Sequence, residues 1–193
     1  MAITTADVKK LRDETGISIM QCKKALEEAG GDMEKARVIL EKQSKAVASK
    51  KADRELRAGT VASYVHNTGT VGAMVELLCE TDFVARNEEF KAMAYEIAMQ
   101  IAATSPEFKS LDDIPEEAKE KVKEVFAEEV KDKPRDMQDK ILAGKLDSYF
   151  KEKALLNQAF IKDPSVTIKD MLERGTQKFG EKIDIGSFTR LAI

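Results

Sequence analysis

The sequence predicts an α+β fold, an N-terminal three-helix bundle followed by a core in which a small antiparallel sheet packs against helices. Three observations predict it. Helical spacing broken by glycine turns fills the first fifty residues. The period then falls to two across "GTVASYVHN" and "TVGAMVELLCE". Helical spacing returns after "TDFVARN" and gives way to alternation only in the last segment, "IDIGSFTRLAI". Helices, then strands, then helices and a closing strand is an α+β order, unlike the repeating βαβ of a nucleotide-binding sheet.

The first helix starts at Thr4, with Asp7 three residues on and Ile3 and Val8 placed for a hydrophobic staple. Val8 and Leu11 share one face, and Gly16 stops the helix. Ser18 caps a second helix, whose apolar stripe is Ile19 or Met20, then Cys22, Ala25, Leu26 and Ala29. Gly30 and Gly31 end it, and Asp32 caps a third. Residues 42–57 are polar and richer in basic than acidic side chains, and read as a solvated extension tethering a domain at 1–52 to one at 53–193.

From Gly59 two alternating runs flank Asn67-Thr68-Gly69, the pattern of a hairpin. Val71, Ala73, Val75 and Leu77 share one face of its second strand, with Met74 and Leu78 on the other. Asn87 caps the next helix, where Phe90, Met93, Ala94, Ile97 and Ile101 form a stripe expected to cover the hairpin. Glu88 and Glu89 lie in its first turn, favoured by the helix dipole. Two further helices are expected over "PEEAKEKVKEVFAEEVKD" and "MQDKILAGKLDSYFKEKALLNQAF", then a break at Asp163-Pro164, then a helix over "VTIKDMLERGTQKF". The final alternation predicts a strand that joins the hairpin.

Composition narrows the function. The 193 residues are 42% hydrophobic and 35% charged, with a net charge of −3. A nucleic-acid-coating protein would be basic, so no direct nucleic-acid partner is expected. No apolar run approaches the roughly 20 residues of a membrane span, and the N-terminus lacks the apolar stretch of a signal peptide. Two distant cysteines, Cys22 and Cys79, make no disulfide framework and fit a reducing cytoplasm, where both would act as small apolar core residues. His66 is the single histidine, so neither a structural zinc site nor a conventional triad is at hand. A cysteine nucleophile would need Cys79 or Cys22 to meet His66 in space, and a Cys79–His66 hydrolase is the arrangement to test. Phosphate-cradling glycine loops are absent. A binding protein without enzymatic activity, cofactor or metal is expected.

Two segments carry a resemblance. "VKKLRDETGISIMQCKKALEEAGGDMEKA", Val8 to Ala36, and "ETDFVARNEEF", Glu80 to Phe90, resemble the signatures of the elongation factor Ts family, in the same order and separation. "KEKALLNQAFIKDPSVTIKDML" is similar to that family's C-terminal segment. The resemblance covers nearly the whole chain. It implies a ubiquitin-associated-like bundle docking on a GTPase, and a guanine-nucleotide exchange factor that binds elongation factor Tu, disturbs its Mg²⁺ and promotes GDP release. It maps the Mg²⁺-dislodging segment onto Thr81, Asp82, Phe83 and Val84. Further partner contacts would come from Arg86 and Asn87 and, in the bundle, from Leu11, Arg12, Thr15, Gly16, Ile17, Met20, Cys22 and Lys23. Longer family members have two copies of the core subdomain and this chain has room for one, so a homodimer is expected to supply the second surface.

Three side chains keep two readings each. Phe83 either tucks onto the Met93 and Ile97 face or inserts into a partner. Asp82 either caps the turn or bonds a partner amide. Arg86 pairs with Glu88 or Glu89, or reaches the partner. The competing function, a ubiquitin-type or peptide adaptor built on the bundle, leaves "TDFVARN" without a task.

Overall fold

The computed structural model describes residues 3–131 and 134–193. Helices α1 (Thr5–Thr15), α2 (Ile19–Glu28) and α3 (Met33–Lys51) form the bundle. Thr4 caps α1 in a reciprocal box with Asp7, Ser18 caps α2 and Asp32 caps α3. Gly16 takes φ 68°, a left-handed turn that ends α1 and donates to the Arg12 carbonyl. Val8, Leu11, Ile17, Cys22, Ala25, Leu26, Ala36 and Leu40 make one buried cluster. The α2 stripe is narrower than the spacing suggests, because Ile19 and Met20 both face solvent. The third helix is not simply a solvated extension. Ser44 is buried where α3 meets the core, and its hydroxyl bonds Gln177.

Strands β1 (Ala58–Val65) and β2 (Val71–Cys79) form the hairpin, and β5 (Asp184–Ala192) pairs antiparallel with β2. The sheet order is β1-β2-β5. A Cβ on Gly59 would meet the Leu77 carbonyl oxygen at 2.5 Å, so the first strand needs glycine there to lie close on the second. Helix α5 (Glu88–Thr104) covers the inner face. Ala73, Val75, Leu77, Phe90, Ala94, Ile97, Ile101 and Ile185 are all buried in this second cluster, as the two periods require. Val61, Val65, Met74 and Leu191 remain exposed on the outer side.

Between α5 and β5 the chain builds α6 (Glu116–Val130), α7 (Arg135–Lys153), the short strands β3 (Ala159–Phe160) and β4 (Asp163–Thr167), and α8 (Ile168–Phe179). Helices α6 and α7 pack on each other as a hairpin. Two expectations are corrected here. The helix expected to run on to Phe160 stops at Lys153, because the backbone at 107–109 competes for its end. Glu107 and Phe108 donate to the Lys153 carbonyl, and Leu155 and Leu156 donate to the carbonyls of Phe108 and Lys109. The expected break at Asp163-Pro164 is present, since no helix crosses it, and it also starts β4, paired with β3. Helix α8 then begins at Ile168, two residues later than the spacing suggests, because Thr167 and Asp170 form a capping box. Helices α3 and α8 pack together and join the two clusters. Among the described residues, no helix is long and apolar enough to cross a membrane.

Candidate functional site

The end of β2 delivers the chain to a one-turn helix, α4 (Asp82–Ala85), where the sequence suggested only a junction. Thr81 is its cap, its hydroxyl accepting from the Val84 amide at 3.5 Å. At about 100° per residue one turn must divide its side chains between two sides. Val84 is buried in the core cluster and Ala85 packs against it. Phe83 points the other way and is 82% exposed. Asn87 closes the segment by capping α5, accepting from the Glu89 amide at 2.8 Å.

The two readings of Phe83 are thereby separated. It does not tuck onto Met93 and Ile97. Its ring stands in solvent on a turn fixed beneath it. Asp82 does not cap the turn, since Thr81 does, and Arg86 pairs with neither Glu88 nor Glu89. Instead Arg86 Nη2 lies 3.0 Å from Asp82 Oδ2, one helical turn apart, with both side chains largely in solvent. Such a pair contributes little and leaves both groups available.

The backbone beneath Phe83 is held from elsewhere in the chain. Gly180 ends α8 with φ 72° and turns the chain so that Glu181 faces the end of β2. Glu181 Oε2 accepts from the amides of Glu80 at 3.1 Å and Thr81 at 3.0 Å, and its Oε1 accepts from the Thr81 hydroxyl at 2.6 Å. Glu80 in turn accepts from the Lys182 amide at 2.6 Å and from Arg54 at 3.1 Å. The Lys182 amide, with Arg54 beside it, holds the Glu80 carboxyl below its ordinary value. Lys182 Nζ donates to the carbonyls of Ala52 and Arg54, so the bundle's exit segment is tied to the same knot. Nothing local in the sequence announced Glu181 or Lys182. Their partners lie about a hundred positions away.

Cys79 lies under this turn, fully buried, its thiol 3.2 Å from the Thr81 carbonyl oxygen. Burial pushes the Cys79 thiol's pKa up, so the thiol keeps its proton more firmly, and the Glu181 charge adds to the effect. His66 follows the far end of β1. The register pairs Ala58 with Cys79 and Val65 with Gly72, so eight strand positions, about 26 Å, separate Cys79 from His66. The hydrolase pair is excluded by this distance. His66 is exposed beside the hairpin turn and meets the Tyr64 hydroxyl at 3.1 Å.

The bundle residues divide by exposure. Arg12, Met20 and Lys23 lie open on α1 and α2, and Thr15 and Gly16 are half-buried at the turn between them. Leu11, Ile17 and Cys22 are 0–1% exposed in the isolated chain. They shape the surface from below. Thr15 links the two layers, its hydroxyl donating to the Leu11 carbonyl at 2.7 Å and lying 3.8 Å from the Cys22 thiol. Among the described residues, no group of three or more His, Cys, Asp or Glu side chains is arranged to hold a metal ion.

Comparison with known proteins agrees with the two segments singled out. The family model described as Elongation factor TS matches residues 33–193. An elongation factor Ts of Thermodesulfovibrio yellowstonii is 49% identical over 194 residues, spanning 100% of this chain and 97% of that protein. Elongation factors Ts of Thermotoga petrophila and Fervidobacterium nodosum are each 47% identical over 100% of this chain and 97% and 99% of their own lengths. The chain belongs to the elongation factor Ts family of translation elongation factors.

Proposed function

We propose that this protein binds elongation factor Tu and promotes release of GDP by inserting Phe83 into the GTPase and weakening its hold on Mg²⁺ and nucleotide. One observation carries the reading. A large aromatic ring is 82% exposed at the tip of a turn whose Val84 is buried in the core and whose Thr81 is held by the Glu181 carboxylate. An unpartnered exposed Phe gains about 1.5–3 kcal/mol when it finds an apolar slot, and aromatic anchors often dominate interfaces. Thr81 and Val84 hold the turn while Phe83 and Asp82 meet the partner. Arg12, Met20 and Lys23 on the bundle offer a second contact.

The chemistry belongs to the partner, so the protein acts as an exchange factor and not as an enzyme. Insertion helps only if it is selective, since a factor that bound loaded and empty GTPase equally would shift nothing. Reciprocity requires that the factor weaken nucleotide by the same ratio that nucleotide weakens the factor. A coupling of about 4 kcal/mol gives roughly a thousandfold. Mg²⁺ is the natural weak point, because it demands near-octahedral geometry and bridges protein to phosphate. A second copy of this chain, packed on the open outer face of the sheet, is the proposed homodimer partner.

Release of a fluorescent GDP analogue from elongation factor Tu tests the reading, with wild type and Phe83→Ala compared at low and excess Mg²⁺. Wild type accelerates release, Phe83→Ala loses most of that acceleration, and excess Mg²⁺ opposes both. No acceleration by folded wild-type protein sinks the exchange function and returns the bundle to an adaptor role. Equal acceleration by both proteins removes Phe83 from the mechanism.

A further inference from the structure

We propose that Glu181 is the positioning residue of the Phe83 turn, a carboxylate supplied by the C-terminal part of the fold that fixes the direction in which the ring projects. The inference rests on the exchange reading above. Phe83 has no core contact of its own, so its direction depends wholly on the backbone of residues 80–84. Four residues of helix are too few to hold themselves, because a first turn fixes several dihedrals for one hydrogen bond. The core holds one side of the turn through Val84 and Ala85, and a group outside it must hold the other.

Glu181 is that group. Its two oxygens accept three hydrogen bonds, from the amides of Glu80 and Thr81 and from the Thr81 hydroxyl. Charge-assisted bonds of this kind are the strong ones. Donation to Glu181 also orients the Thr81 hydroxyl so that its free lone pair receives the Val84 amide and caps α4. The arrangement is reciprocal, since the Glu80 carboxylate accepts from the amide of Lys182. Two dipeptides about a hundred positions apart exchange carboxylates for amides. The left-handed turn at Gly180 brings Glu181 into reach.

The contact contributes little to the core. Thr81 is exposed and Glu181 is half-buried. Its work is to make the projecting ring rigid, which lowers the ordering cost of insertion. Loosening the turn therefore affects the step at which the ring acts more than the encounter, which other surfaces support.

The test uses full-length protein titrated into GDP-loaded elongation factor Tu, separating the maximal release rate from the half-saturating factor concentration. Glu181→Ala lowers the maximal rate about tenfold or more, as misplacement of a positioned group does, and moves the half-saturating concentration less than about threefold. Glu181→Gln restores most of the rate, because its oxygen can accept both amides and its nitrogen can donate to the Thr81 hydroxyl. In a Phe83→Ala background, Glu181→Ala has no further effect, a non-additivity expected of two residues serving one contact. Amide exchange at Glu80 and Thr81 rises in Glu181→Ala. If that variant does not fold, Glu181→Asp, one methylene too short, takes its place and is expected to match it.

Equal losses in both backgrounds, or failure of Glu181→Gln to rescue, overturn the proposal and leave Glu181 a stability residue. Slow release with Phe83→Ala but wild-type release with Glu181→Ala overturns the positioning role alone. Wild-type release with Phe83→Ala overturns the insertion reading and the positioning role with it.

Discussion

Phe83 and Val84 are chain neighbours that face opposite ways, and their substitutions should have opposite consequences. Phe83 is exposed and Val84 is buried beneath it. Phe83→Ala is expected to change stability by less than about 0.5 kcal/mol, like other surface replacements, while removing most exchange activity. Val84→Ala leaves a small cavity and is expected to cost about 1–3 kcal/mol. Chemical denaturation of both variants checks the contrast, and a large stability loss in Phe83→Ala would mean that the ring packs on its own chain. The sequence named this pair as a site but could not say which of the two faced out. That depended on a single helical turn, too short for periodicity to reveal.

At the scale of elements, the seam between α3 and α8 buries polar groups. Ser44 meets Gln177 across it. Glu173 Oε2 and Gln177 Nε2 are buried there without a protein partner among the described residues. Burial pushes the Glu173 carboxyl above its ordinary value of 4.5, with Lys169 opposing and Asp170 reinforcing. Lys45 and Glu41 face it from α3 with opposite effects. The unfolded chain gives up this proton near 4.5, and the folded chain only at higher pH. Stability therefore declines as pH rises from the unfolded value through the raised one. Glu173→Gln removes the ionisation and is expected to stabilise by about 1 kcal/mol at neutral pH, raising Tm by about 2–4 °C. The gain should fade below pH 4.5, where Glu173 is protonated in both states. A gain that is constant across pH, or no gain at all, would show that the carboxylate is satisfied. Seams of this kind are illegible in sequence, because residues 44, 173 and 177 meet only when the bundle docks on the core.

At the scale of the whole molecule, one face of a three-stranded sheet is packed and the other is open. The antiparallel register places Met74 opposite Ser63 and Thr189, and Leu191 opposite Gly72, on the open side. Val61, Val65, Met74 and Leu191 expose apolar surface there, and open edges and apolar patches invite a partner. Analytical ultracentrifugation at micromolar concentration is expected to find a dimer, and Met74→Glu to shift it to monomer. A monomeric wild type would overturn the homodimer. Placement of the bundle against the core, through α3 on α8, is the other whole-molecule property. It leaves the bundle's open residues and Phe83 on one continuous chain that two separate tethers brace, Lys51 to Gly180 and Lys182 to Ala52.

Local chemistry was determined by the sequence alone. Caps at Thr4, Ser18, Asp32 and Asn87, the stop at Gly16, the hairpin and the stripe of α5 all follow from side chains within four positions of one another, and the structure reproduces each. The long motifs around Leu11 and Phe83 likewise pointed to the family before any geometry was known. Tertiary structure alone decided what depended on distant groups. The end of α7 was set by the backbone at 107–109, and the burial of Ser44 by α8. The exposure of Phe83 belongs to the same class. Its ring points outward because its neighbour Val84 is buried in a core assembled from distant strands and helices, and sequence periodicity records only the company a residue keeps within its own element.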